Sequence, residues 1–482
     1  MKRPDVLTLL AVLALAGVLP AQTPATLPET PQGKIVARYL EAFNSGNDAS
    51  MRAFLTGNVA AEGLQRRPVE ARMEVFKEMY GNTGGLELIR LLGAGGDSVA
   101  GVFHTKQGEW RRITFQFEPD PPYKLLGLRV EDAEPPTAAT PPVPAAPPPR
   151  LAPVELAFAV ERDADSLAAA DAFSGVVLVA RQGRPIVARA YGMADVAAGV
   201  RNNLDTKFNL GSDNKLFTQV AIGQLIDQGR LSFDDTLGRI LPDYPNRTAA
   251  AKVTVRQLLT MRSGIGDFFG PEFDVAPHSI RTTADFMRLF ADKPLQFEPG
   301  TSQQYSNGGY VVLGAIVEKL SGQSYYDYVR EHIYRPAGMT DTDSYELDAT
   351  VPNRATGYTR EKVPGGAPRR DNIASLPGRG SSAGGGYSTA PDLLRFAVAV
   401  HAGKLLSPKL TTWLVTRQEP AEQGGAELPR SFGWIGGSPG VNASFLSNAT
   451  TGYTVIVLSN YDPPSAEQLS RQIRVLIGAV VE

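Results

Sequence analysis

Ser212 and Lys215 stand three residues apart in Phe208-Asn209-Leu210-Gly211-Ser212-Asp213-Asn214-Lys215-Leu216-Phe217-Thr218, at the start of an apolar run. On a helix that spacing puts both side chains on one face, where they can touch. A serine hydroxyl is a weak nucleophile that needs an adjacent base. Lysine can supply one when burial or a cationic neighbour strips its proton. Taken alone, the pair reads more readily as a helix cap beside a surface lysine. Further along, Gln304-Tyr305-Ser306-Asn307-Gly308-Gly309-Tyr310 offers a phenol and an amide two residues apart, which an extended backbone projects to the same side. A tyrosine held beside a lysine cation is expected to have a lowered pKa and to carry a proton between serine and leaving group. The base for Ser212 is therefore Lys215, a tyrosine, or the two together. Near the C-terminus, Gly433-Trp434-Ile435-Gly436-Gly437-Ser438-Pro439-Gly440 starts on a strand-like run, and glycines there let a ligand approach the backbone. An exposed N–H from this stretch, with that of Ser212, would hold the oxyanion of an acyl-transfer intermediate.

Other chemistries are disfavoured by composition. The 482 residues contain no cysteine, which excludes thiolate nucleophiles, disulfides and cysteine-ligated zinc. His104, His278, His332 and His401 are isolated and lack metal spacing, so neither metal nor cofactor is expected. The net charge of -2 gives no general attraction to nucleic acid. Gly-x-Ser-x-Gly matches at Gly380–Gly384 and Gly436–Gly440 lack the strand or the later histidine that such an elbow needs, and both are set aside.

The elements that must position these groups follow from the chain in order. Lys2 and Arg3 precede an apolar run from Val6 to Val18, with a cleavage point after Ala21, the layout of a signal peptide over 1–21. No later stretch is long and apolar enough to span a membrane, so an exported chain, periplasmic or secreted, is expected. Residues 22–32 read as a disordered leader. Over 33–132, helical patterns around Ile35 to Phe43, Met51 to Leu55 and Pro68 to Tyr80 precede four strand-like runs beginning near Leu86, Ser98, Glu109 and Tyr123. That order indicates a small α+β domain. It resembles cone-shaped domains of the nuclear-transport-factor-2 (NTF2-like) type, which often dimerise or hold a small ligand, and so leaves a homodimer open. His104 and Glu109 are expected to be a solvated strand pair. Residues 133–153 turn to proline and alanine, a semi-rigid spacer.

Over 154–482 a helix from Val154 leads to a hairpin of Gly175 to Arg181 with Pro185 to Tyr191, and the Ser212 helix closes near Gly229. Ser232 to His401 is largely helix and loop. Strand runs recur around Arg430, Val441 and Tyr453 before a last helix from Ser465. Strands at both ends imply one sheet with an inserted helical region, and a site in the cleft between them.

With these residues assembled, the order Ser212-x-x-Lys215, Tyr305-x-Asn307 and a strand motif before a terminal helix resembles the serine hydrolases of the class C β-lactamase and penicillin-binding esterase family. Val253 to Gly264, Gly384 to Leu393 and Val455 to Asn460 support it, over about Val154 to Glu482. The resemblance implies an α+β, β-lactamase/transpeptidase-like domain: an antiparallel sheet flanked by terminal helices, plus a helical insertion. It also implies Ser212 as acylated nucleophile, Lys215 as proton partner, Tyr305 as general base and Asn307 as ligand to substrate or lysine. The N–H groups of Ser212 and Gly437 would form the oxyanion hole, with Trp434 and Gly436 beside the substrate. Ser212-Asp213-Asn214, which also matches a class A motif, overlaps the nucleophile and is taken as coincidence. Two departures stand out. Trp434-Ile435-Gly436 occupies the place of Lys-x-Gly or His-x-Gly, so the cation that commonly binds a substrate carboxylate is missing, and indole offers one donor instead. Met261 lies where histidine is common. Hydrolysis of small esters, or of amides, is therefore expected. The rivals are a D-amino-acid peptidase or β-lactamase acting on cell-wall-like peptides, and a catalytically silent ligand-binding protein.

Overall fold

The computed structural model describes residues 26–60, 63–64, 68–95, 98–118, 123–133, 153–361, 363, 367–416, 431–478 and 480. The expected signal peptide and nearly all of the linker lie outside these residues. Two compact units are formed, one within Met1–Val143 and one within Pro144–Glu482.

In the first unit, helices α1 (Pro31–Asn44), α2 (Asp48–Asn58) and α3 (Val69–Thr83) precede the strands β1 (Leu86–Gly95), β2 (Ser98–Thr105), β3 (Trp110–Phe117) and β4 (Leu125–Asp132). Helix α1 opens inside the stretch expected to be leader. The Thr30 hydroxyl accepts from Gly33 N at 3.1 Å and proline fills the first helical position, so local capping starts the helix there. The strands form one antiparallel sheet in sequential order. Tyr39, Phe43, Phe54, Phe76, Phe103 and Phe115 fill the space between helices and sheet. Asn44 clamps the end of α1 to β1, its amide donating to Leu86 O at 2.8 Å and accepting from Leu86 N at 2.7 Å. His104 lies opposite Trp110 with ring centroids 4.5 Å apart, and the Glu109 carboxylate pairs with Arg111.

In the second unit, Pro153 opens helix α4 (Pro153–Ala169) from the position expected to end the linker, as a first-turn proline can. Strands β5 (Gly175–Arg181) and β6 (Arg184–Tyr191) are joined by Gln182 and Gly183, both at positive φ, the conformation a two-residue hairpin needs. Helix α5 (Lys215–Asp227) and helix α6 (Asn307–Ser321) lie in the inserted region together with α7 (Ala390–His401). Strands β7 (Ser431–Ser438), β8 (Val441–Asn448) and β9 (Tyr453–Ser459) and helix α8 (Ser465–Gly478) complete the chain.

The sheet runs β7-β8-β9-β5-β6, antiparallel throughout, so the last strand pairs with the first. Strand β9 is buried along its whole length because both faces are covered. Val177, Val179, Val455 and Val457 turn to the terminal helices, meeting Leu156 and Val160 of α4 and Leu469 and Ile473 of α8. Their alternates Val176, Leu178, Ile456 and Leu458 turn to the helical region instead. Helix α5 is buried all round from Lys215 to Gly223, which makes it the central helix of that region.

Candidate active site

The Ser212 turn is built by local chemistry. Gly211 has φ +49, and Asn209 Oδ1 accepts its N–H at 2.9 Å, which turns the chain into a 3-10 segment, Gly211–Asn214, leading directly into α5. Ser212 thus stands one turn before Lys215. The 381–386 loop is stitched across this turn: Asn214 Nδ2 donates to Ser381 O at 2.8 Å, Thr218 Oγ1 to Ser382 O at 2.7 Å, and Leu210 N to Gly386 O at 2.8 Å. Ser382, set aside as an elbow serine, is buried and donates to Tyr310 O at 2.9 Å. The loop still belongs to the site, because Ala383 O accepts from Lys215 Nζ at 2.5 Å, a contact that no side-chain motif announces.

Tyr305 and Asn307 arrive from the start of α6. Ser306 is extended and caps the helix, accepting from Gly309 N at 2.8 Å, so the residues on either side of it project together. Beneath this turn lies Met261, at φ +61, whose sulfur accepts from Ser306 N at 3.4 Å and whose carbonyl accepts from Gln304 N at 2.9 Å.

Three groups converge. Ser212 Oγ is 2.5 Å from Tyr305 Oη and accepts from Lys215 Nζ at 3.1 Å. Lys215 Nζ also donates to Asn307 Oδ1 at 2.7 Å. Lys215 is fully buried, and desolvation lowers its pKa from 10.5 to about 7 against the opposing pull of Asp267 and Asp213. Tyr305 departs from expectation: its pKa is raised. Burial of the hydroxyl outweighs the hydrogen bonds from Ser212 and Trp434 that act to lower it.

Asp267 was missed by motif reasoning. Its Oδ2 accepts from Asn307 Nδ2 at 2.8 Å and from Asn307 N at 3.3 Å, which orients the amide that meets Lys215. Asp213 is 1% exposed, neither carboxylate oxygen has a hydrogen-bond partner among the described residues, and desolvation pushes its pKa well above the usual range.

Strand β7 closes the other side. A Cβ on Gly436 would meet Leu210 O at 1.9 Å and Ser212 N at 2.8 Å, so only glycine lets the strand lie this close to the serine turn. Ser212, Tyr305, Asn307, Ile435, Gly437 and Ser438 line a cavity of about 560 Å³. Trp434 and Gly436 sit behind it. The Trp434 ring packs edge-on against Tyr310 with centroids 5.9 Å apart, and its indole bonds to Tyr305. Among the described residues no group of three His, Asp or Glu side chains could hold a metal ion. His401 Nε2 pairs with Ser447 Oγ at 2.8 Å, His278 with the carbonyl of Ile373 at 3.0 Å, and His332 with Gln323 Oε1 at 3.2 Å. A buried amine touching a serine hydroxyl that also touches a phenol can deprotonate that serine and return the proton to a leaving group.

The Beta-lactamase family model matches residues 160–479, well over half of the sequence. The chain belongs to the Beta-lactamase family. Penicillin-binding protein 4* of Bacillus subtilis (strain 168) is 29% identical to this Beta-lactamase-family chain over 316 residues, covering 60% of it and 68% of the relative. A penicillin binding protein from Bacillus halodurans has a similar structure, with a TM-score of 0.58 and 29% identity over 66% of this chain and 98% of the other. EstCE1, a hydrolase with promiscuous acyltransferase activity, shares the fold with a TM-score of 0.53 at 23% identity, covering 67% and 98% of the two chains. This Beta-lactamase-family chain is a serine hydrolase of the β-lactamase/transpeptidase-like fold, with the antiparallel sheet and helical insertion expected from its motifs.

Proposed function

We propose that the chain hydrolyses carboxylic esters through an acyl-enzyme on Ser212. The observation that carries this reading is the contact of Ser212 Oγ with both Lys215 Nζ and Tyr305 Oη, at 3.1 and 2.5 Å. Lys215, with a pKa of about 7, takes the hydroxyl proton as Oγ attacks the ester carbonyl. The oxyanion forms beside the N–H groups of Ser212 and Gly437. The phenol of Tyr305, neutral at this pH, gives its proton to the departing alkoxide and takes one back from the Lys215 ammonium, whose Nζ lies 4.8 Å from the centre of its ring. Water then replaces the alcohol, the same groups act in reverse, and the acid is released. The family resemblance gives the base role to Tyr305; the raised phenol pKa favours Lys215 here.

Esters are preferred over carboxylate-bearing peptides and β-lactams because the Trp434-Ile435-Gly436 stretch of β7 brings no cation to the cavity, Trp434 being bonded to Tyr305 behind it. Export through a signal peptide over 1–21, an NTF2-like role for 33–132 and a homodimer through that domain are part of the same proposal. In the described residues no helix is long and apolar enough to cross a membrane. The test is covalent labelling by a fluorophosphonate, together with turnover of a chromogenic ester, a cephalosporin and a D-Ala-D-Ala peptide. Labelling lost in Ser212→Ala, with ester turned over fastest, is the expected result. Fastest turnover of the peptide or cephalosporin would favour the peptidase or β-lactamase reading, and absence of labelling would favour a silent binder.

A further inference from the structure

One wall of the cavity beside Ser212 is aromatic. Asp267 Oδ1 accepts the N–H groups of Phe268 and Phe269 at 2.8 and 3.3 Å, setting two rings side by side with centroids 4.5 Å apart. Phe268 is anchored in the core on Phe286 at 4.9 Å, and Phe269 leans on Phe273 at 5.0 Å. Phe269 nevertheless leaves 58% of its surface open while lining the cavity. On β7, Ile435 also lines it and is 43% exposed, since strand alternation turns Trp434 the other way. Large apolar side chains kept out of the core at a concave site mark where an apolar ligand is covered.

Charge in the cavity is consistent with this. Among the described lining residues the cation is Arg370, and Asp274 and Glu361 line the same space, so there is no positive excess to hold an anionic group. A volume of about 560 Å³ also exceeds what an acetyl group fills. We infer that the site takes esters whose acyl part is an uncharged aliphatic chain of medium length, lying against Phe269 and Ile435. This rests on the proposed esterase reading.

The test compares kcat/KM for p-nitrophenyl butyrate and p-nitrophenyl octanoate in the full chain, in wild type, Phe269→Ala and Ile435→Thr. Burial of the added methylenes predicts that wild type prefers octanoate by at least about tenfold. Each variant is expected to cut the octanoate-to-butyrate ratio by about fivefold, roughly the effect of one lost apolar contact surface. Threonine keeps the β-branched shape of the strand, so Ile435→Thr reports on the wall even if Phe269→Ala unfolds. Turnover of both esters with a ratio near one, or a ratio unmoved in both variants, overturns the apolar subsite and leaves the esterase reading standing. Turnover of neither ester overturns both.

Discussion

Asp267 Oδ2 accepts from Asn307 Nδ2 at 2.8 Å, and this one bond decides which end of the Asn307 amide faces Lys215. With the amide nitrogen held by a carboxylate, the carbonyl is left to accept from the amine at 2.7 Å. Asp267→Asn keeps an oxygen for the Phe268 and Phe269 N–H groups but sets one amide nitrogen against another. It is expected to lower kcat by about 10–100-fold, because small displacements of a catalytic partner are costly, with a much smaller change in KM. The negative charge of Asp267 also raises the Lys215 pKa, so its loss should move the acid limb of the rate profile to lower pH. A KM that rises as much as kcat falls would assign Asp267 to the cavity wall instead.

Lys215→Ala and Tyr305→Phe should each lower the acylation rate by about 10²–10⁴-fold, the usual contribution of a positioned acid or base, with cooperative unfolding retained. In wild type, kcat/KM should climb with pH through a midpoint of about 7, where the buried amine becomes neutral. Stopped-flow measurement of the acyl-enzyme across pH 5–9 checks this, and a midpoint near an ordinary carboxylate value would give the base role to another group.

Asp213 loses stability for the fold as pH rises. Its folded pKa lies well above the ordinary 3.8 because burial disfavours the charge, so the unfolded chain releases a proton that the folded chain keeps. Its contribution is intact below 3.8 and declines between there and its raised folded value, at up to about 1.4 kcal/mol per pH unit. Asp213→Asn is therefore expected to gain stability relative to wild type as pH increases above that of an ordinary aspartate. Urea unfolding at pH 4, 6 and 8 measures the difference; a constant offset would mean that the carboxyl titrates alike in both states.

Gly436→Ala forces a methyl group against Leu210 O and Ser212 N, at 1.9 and 2.8 Å from its ideal position. Overpacking of this kind costs about 1–3 kcal/mol, and here the backbone that yields carries Ser212, the proposed nucleophile. A lowered melting temperature with a disproportionate fall in kcat is expected. The variant retaining wild-type kcat would show that β7 can withdraw without disturbing Ser212.

Much of this protein was legible in the chain itself. Continuous apolar runs marked β5 and β9, and turn residues at Gln182-Gly183 marked the hairpin, because these signals are local and both strands are apolar on each face. Spacing on one helix or extended segment allowed Ser212 to meet Lys215 and Tyr305 to lie beside Asn307, but it was the family resemblance of the motif order that singled out these four residues. The start of α1 was misplaced because a cap at Thr30 outweighed a disordered-looking composition.

Only the tertiary structure brought the two pairs together across the chain and decided the direction in which their pKa values move. Ala383 O and Asp267 have no motif; they reach Lys215 and Asn307 because the 381–386 loop and the segment after Met261 fold over α5 and α6. The same burial that lowers the lysine raises the phenol, against the expectation drawn from charge alone. Residue types determine which groups can exchange a proton, but the direction of exchange depends on how far each is removed from water, which is a property of the packed whole.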